Sequence, residues 1–114
     1  MLAVISPAKT LDYQTATPPH EPTSLLFPDQ AASLVDTMRQ YSPDDLQALM
    51  GISERLAKQN AARFSEWQWP FPEQASRAAV FAFKGDVYAG LDAYELDAQG
   101  REYLQRHRRI LSGL

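Results

Sequence analysis

The segment "SPDDLQALMGISERL", Ser42–Leu56, constrains the fold more than any other part of the chain. Ser42, Pro43 and Asp45 have the types and spacing of an N-cap, a first helical residue and a capping-box acid. Leu46, Leu49 and Met50 then recur at helical spacing, and Gly51 suits a left-handed stop. Ser53 caps a second helix, predicted to run to about Trp67. Start, stop and restart follow so closely that the two helices are expected to fold as a tight hairpin.

The flanking chain reads as a mixture of short strands and helices. "LAVI", Leu2–Ile5, is an apolar run halted by Pro7 and predicts a buried strand. Gln14–Pro28 contains four prolines and predicts irregular chain. Asp29 is expected to cap a helix reaching about Tyr41, with Ala31, Leu34, Val35 and Met38 on one face. "WQWPFPE", Trp67–Glu73, combines prolines with large aromatics and predicts a packed corner. "AAVFAF", Ala78–Phe83, reads as a second buried strand. A short helix or turn through Val87–Leu91 follows, then a helix from near Asp97 to the C-terminus. On that last helix Tyr103, Leu104, His107, Ile110 and Leu111 share one face. Arg101, Arg108 and Arg109 lie opposite, with Arg106 at the edge. Two near-continuously apolar strands separated by helices predict parallel pairing. The expected class is therefore α/β, mainly helical, with a few short parallel strands, and residues 1–114 as one unit.

Composition narrows the chemistry. A chain of 114 residues with 45% hydrophobic and 22% charged residues suits one globular domain. No apolar run approaches the ~20 residues needed to span a bilayer, so no membrane role is expected. The N-terminus has no basic region before its apolar run, unlike a secretory signal. With no cysteine, disulfides, thiolate catalysis and sulfur-ligated metals are excluded. His20 and His107 lack nearby carboxylates, and neither a metal nor a cofactor is expected. The net charge of −3 argues against a uniformly nucleic-acid-coated protein. The charges are nevertheless segregated, and screening confines each patch to ~10 Å at ordinary salt. Arg55–Arg63 holds three basic residues and no acid, and the stretch from Arg101 onward holds four arginines and one acid.

Three constellations follow. In the hairpin, Leu49, Met50, Gly51, Ile52 and Ala57 match a phosphate-gripping helix-hairpin-helix, with Ser53 replacing its usual second glycine. Such a turn offers free backbone N–H groups and a positive helix end to one phosphate. Arg55, Lys58 and Arg63 would add charge beside Gly51, Ile52 and Ser53. The same signals also describe a helix pair that merely closes a core. The second constellation is a pair of loops, "SPAKTLD" and "KGDVYAG". If both leave parallel strands at their carboxyl ends, Ser6, Lys9, Thr10, Lys84, Asp86 and Tyr88 converge on a small-anion site. The alternative there is a structural salt bridge, Lys9–Asp86 or Asp12–Lys84. No nucleophile–base dyad is legible, so no catalytic residue is assigned. The third is "RHRRILSGL", where Arg106, Arg108 and Arg109 form either a solvated face or part of a groove for duplex phosphates.

"ISPAKTLDY", "LMGISERLAKQNAARFSEW", "AFKGDVYAGL" and "LSGL", in this order, resemble the bacterial YaaA family of peroxide-stress proteins. The resemblance runs along the whole chain and is weakest over Thr15–Pro28. It implies a cytoplasmic protein of hydrogen peroxide survival that limits free iron and protects DNA. It also implies binding of duplex or branched DNA without strong sequence preference. The implied fold is an unusual α/β one with a positively charged cleft and a helix-hairpin-helix, for which Leu46–Phe64 is the candidate. Family members are roughly twice as long, so the chain is expected to represent the N-terminal portion of that fold.

Overall fold

The capping signals at Ser42 and Ser53 act as the sequence predicts. The computed structural model describes residues 1–72 and 74–111, and its contacts divide into two units. One unit, Leu25–Ala75, is helical. It holds α1 (Pro28–Met38), α2 (Pro43–Met50) and α3 (Glu54–Glu66). At α2 the capping box is complete: the Asp45 N–H donates to Ser42 Oγ at 3.1 Å, and the Ser42 N–H donates to Asp45 Oδ2 at 2.9 Å. Pro43 occupies the first turn, and Gly51 closes the helix at φ 62° and ψ 36°. The Leu56 N–H donates to Ser53 Oγ at 3.3 Å and starts α3. Both α1 and α2 pack against α3, and Leu46 and Ala57 are fully buried.

The start of α1 departs from expectation. Its cap is Phe27, without a side-chain hydrogen bond, and Asp29 lies inside the first turn. Pro28 explains the shift, because its fixed φ and missing N–H suit the first helical position and put the boundary before it. The last turn of α3 is closed by Arg39, the residue that caps the C-terminus of α1. Arg39 donates from Nε to the Phe64 carbonyl at 2.9 Å and from Nη2 to the Trp67 carbonyl. A cation at a helix C-terminus satisfies orphan carbonyls and opposes the negative dipole end. Asp36 holds the same guanidinium at 2.6 Å. Beyond α3, Phe71 stands edge-on to Trp67 at 5.7 Å and to Trp69 at 5.1 Å, the aromatic corner expected there. Glu73, the last residue of that corner, lies outside the described residues.

The other unit, Met1–Ser24 with Ser76–Leu114, contains the strands. They are β1 (Ala3–Ile5), β2 (Thr10–Leu11), β3 (Phe83–Lys84) and β4 (Arg108–Ile110). The helices of this unit are α4 (Ala79–Ala82), α5 (Asp86–Leu91) and α6 (Ala98–His107). The expected strand Ala78–Phe83 is instead a helical turn followed by a two-residue strand. Alanine favours helix, and an apolar run this short has no period that separates helix from strand. The expected parallel partnership with Leu2–Ile5 is likewise replaced. β1 pairs parallel with β4, Ala3 opposite Arg108 and Ile5 opposite Ile110. β2 pairs antiparallel with β3, Thr10 opposite Lys84. The expected final helix starts on its Asp97 cap but stops at His107, and Arg108 and Arg109 are strand residues. Pairing with β1 supplies the backbone partners that a longer helix would have had. Ser112–Leu114, within the expected helix, lie outside the described residues. The class is mixed α/β and mainly helical, with short strands of both pairing senses.

The interior of this unit is organised by Phe81, Ala82, Tyr88 and Ala93, all buried. Tyr94 packs tilted against Phe81, ring centroids 5.1 Å apart, and donates its hydroxyl to the Phe81 carbonyl at 2.8 Å. Arg77 ties distant segments to this centre. It donates to the carbonyls of Asp12, at 3.1 Å, and Thr15, and lies 3.9 Å from the Asp12 carboxylate. Among the described residues no helix is long and apolar enough to cross a membrane.

Candidate functional site

The turn between α2 and α3 is open. Gly51 is exposed, and a Cβ built on it meets nothing within 4 Å. Ile52 is half-buried and Ser53 exposed, so the turn is anchored by one apolar side chain and presents its backbone on either side. Ser53 Oγ satisfies the Leu56 N–H, and the Ser53 carbonyl accepts from Ala57 at 2.9 Å. The N–H groups of Glu54 and Arg55, in the first turn of α3, have no acceptor within the helix. They sit at its positive end, the place where an anion is favoured.

The basic edge of α3 is exposed at Arg55, Lys58 and Arg63. Their charges are not equivalent. Lys58 Nζ lies 2.5 Å from Glu54 Oε1, an exposed i,i+4 pair that neutralises this cation. Among the described residues Arg55 and Arg63 make no ion pair. Glu54 is therefore a second anion at the same helix end, and it competes with any phosphate drawn there. At the other end of the hairpin, Asp45 is held below the usual carboxylate range by the Ser42 hydroxyl and backbone N–H.

The arginines near the C-terminus do not form one helix face. Arg106 pairs with Glu102 at 2.5 Å on α6. Arg109, on β4, folds back to the carbonyls of Gln105, at 2.8 Å, and Arg108, at 2.7 Å. Arg108 is exposed on the same strand.

The two lysine-bearing loops meet through antiparallel strands rather than parallel ones. Thr10 and Lys84 are register partners, and the Tyr88 hydroxyl donates to the Ser6 carbonyl at 2.7 Å. Burial pushes the Tyr88 phenol up. Close approach requires the small residue Gly85, where an added Cβ lies 3.3 Å from Ala8 Cβ. Lys84, Gly85 and Tyr88 line an open depression of about 290 Å³ with Thr15, Asp92 and Tyr94. Ser6, Lys9, Thr10 and Asp86 are not among its lining residues. Neither anticipated salt bridge forms. Asp12 faces Arg77, and the Thr15 hydroxyl at 2.5 Å, with the backbone N–H groups of Thr15 and Gln14, holds its carboxyl well below the usual range. Sequence reading singled out neither Arg77 nor Arg39, whose partners are distant carbonyls that leave no local pattern.

Over residues 1–114 the chain matches the family described as Peroxide stress protein YaaA. It is 54% identical to the UPF0246 protein of Hahella chejuensis. It is 52% identical to the UPF0246 protein of Idiomarina loihiensis and 47% to that of Teredinibacter turnerae. Each comparison covers all of this chain and 44% of the relative's length.

Proposed function

Because the chain belongs to the Peroxide stress protein YaaA family, we propose that it serves the hydrogen peroxide response by binding duplex or branched DNA without strong sequence preference. On this reading it acts in the cytoplasm and limits iron-dependent damage to DNA. The observation that carries the DNA assignment is the open Gly51 turn, with Arg55 in the first turn of α3 and Arg63 further along it, both without an ion pair among the described residues. Gly51, Ile52 and Ser53 bring backbone to a phosphate as a helix-hairpin-helix does, and Arg55, Lys58 and Arg63 add nonspecific attraction. Arg106, Arg108 and Arg109 are secondary contributors: Arg106 pairs with Glu102 and Arg109 is turned to backbone carbonyls, which leaves Arg108 as the exposed cation of the three without either kind of partner among the described residues. The test is fluorescence anisotropy of labelled duplexes across a salt series. Replacing Arg55, Lys58 and Arg63 together by Gln should weaken binding alike for unrelated sequences and flatten the salt dependence. An unchanged salt slope removes the hairpin from the interface.

A second reading rests on the depression beside Lys84 and Tyr88. On this reading Lys84, Gly85 and Tyr88 hold a small anion or nucleotide there, and the Lys9–Thr10 loop, outside the lining, supports Lys84 through its pairing with Thr10. Lys84→Ala should then abolish peroxide survival while leaving DNA affinity intact, and wild-type survival of that variant rejects it.

A further inference from the structure

A parallel pair of strands is an unusual place for a sheet to stop. Parallel sheets occur almost only where both faces are covered, and two strands alone are marginal in water. In the β1–β4 pair, however, Val4 is 56% exposed, and Leu2, which immediately precedes β1, is 55% exposed. The two edges of the pair differ. The Leu111 N–H donates to the Ile5 carbonyl at 2.9 Å, so Ile5 faces β4 with its backbone. In a parallel ladder alternate residues bond opposite neighbours, which turns the N–H and C=O of Val4 towards the outer edge. The β4 edge is blunted: the Arg108 N–H donates to the Leu104 carbonyl, and the Arg108 carbonyl accepts from Arg109. Among the described residues nothing comparable guards β1, and its edge carries neither a charge nor a proline between Leu2 and Ser6. The relatives are more than twice as long as the matched segment.

We propose that the outer edge of β1, at Val4, seats a further β-strand contributed by the part of the family fold outside these 114 residues. That strand takes the Val4 N–H and C=O as partners and covers Val4 and Leu2. It converts an exposed two-stranded pair into the interior of a wider sheet. This inference concerns assembly of the fold and stands apart from the DNA reading.

The probe is the portion of the Hahella chejuensis relative outside the matched segment, co-expressed with this chain as a separate tagged polypeptide. The expected result is a 1:1 complex in which exchange of the Val4 amide slows at least tenfold. Val4→Pro removes the outward N–H from the edge and should weaken the complex at least tenfold. Should that variant lose its fold by circular dichroism, Val4→Lys, which leaves the backbone donor in place but puts a charge on the edge, should do the same. Absence of a complex overturns the proposal, as does a complex indifferent to both substitutions. Self-association of this chain through Val4, seen as a dimer that Val4→Lys dissociates, also overturns it by naming a second copy as the occupant.

Discussion

Two glycines with equal room around them should respond to alanine with opposite signs. A Cβ at Gly51 or at Gly90 meets nothing within 4 Å, so neither substitution is opposed by sterics with neighbours. Gly51 stands at φ 62°, closing α2, whereas Gly90 lies within α5 without a positive φ. A left-handed residue with a Cβ costs ~1–2 kcal/mol. Loss of freedom in the unfolded chain returns ~0.4–1 kcal/mol. Gly51→Ala should therefore destabilise by ~1 kcal/mol, and Gly51→Asn by less, because asparagine tolerates this region better. Gly90→Ala should stabilise by ~0.5–1 kcal/mol, the ordinary gain of alanine over glycine in a helix. Urea unfolding measures both. Trp67 and Trp69 belong to the same unit as Gly51 and report it by fluorescence, while far-UV circular dichroism follows the helices of both units. With m of ~1–3 kcal/mol/M, a change of 1 kcal/mol moves the midpoint by a readily measured ~0.3–1 M. A Gly51→Ala protein more stable than its parent would refute the left-handed closure of α2, and with it the geometry of the turn.

Other outcomes follow from the same contacts. Arg39→Ala removes two carbonyl contacts at the end of α3 and an exposed ion pair, and should cost ~1–3 kcal/mol by urea unfolding, nearly all of it from the carbonyls. Asp12 and Asp45 have folded pKa values below their unfolded ones, so their stabilisation is present above about pH 4 and is lost as pH falls below it. Asp12→Asn should accordingly flatten the acid side of the stability profile measured by urea midpoints. If DNA sits at the hairpin, Glu54→Gln removes an anion from the helix end and releases Lys58, steepening the salt slope by about one phosphate contact, ~0.9 in log–log units, in the anisotropy titration.

Local chemistry made the hairpin legible. Ser42, Pro43, Asp45, Gly51 and Ser53 act within a few residues of their partners, and each takes the role its type predicts. The strands were less legible because their partners decide them. Arg108–Ile110 carries no breaker that separates it from α6, and only β1, at the other end of the chain, makes it a strand. Thr10–Leu11 is two residues long and exists through Phe83–Lys84. The run Ala78–Phe83 was ambiguous in itself, since three of its residues are alanine and its length suits a helical turn as well as a strand. At the candidate site the exposed basic edge could be read from spacing. The Glu54–Lys58 pair, which removes one of three cations, follows the i,i+4 rule and was equally available to it. The Arg77 and Arg39 clamps were not, because a backbone carbonyl far along the chain has no signature in the side-chain pattern.

The pairing of Ala3 with Arg108 also sets an order of events during synthesis. The helical segment Leu25–Ala75 is built from neighbours in sequence and can form as soon as it emerges. β1 waits for a partner that is translated about a hundred residues later. Closing so long a loop is entropically slow, and until it closes an apolar strand with a bare edge is exposed to other chains. Contact order thus places the β1–β4 pairing after the helical unit, and the interval before it closes is the time when β1 is most open to wrong partners.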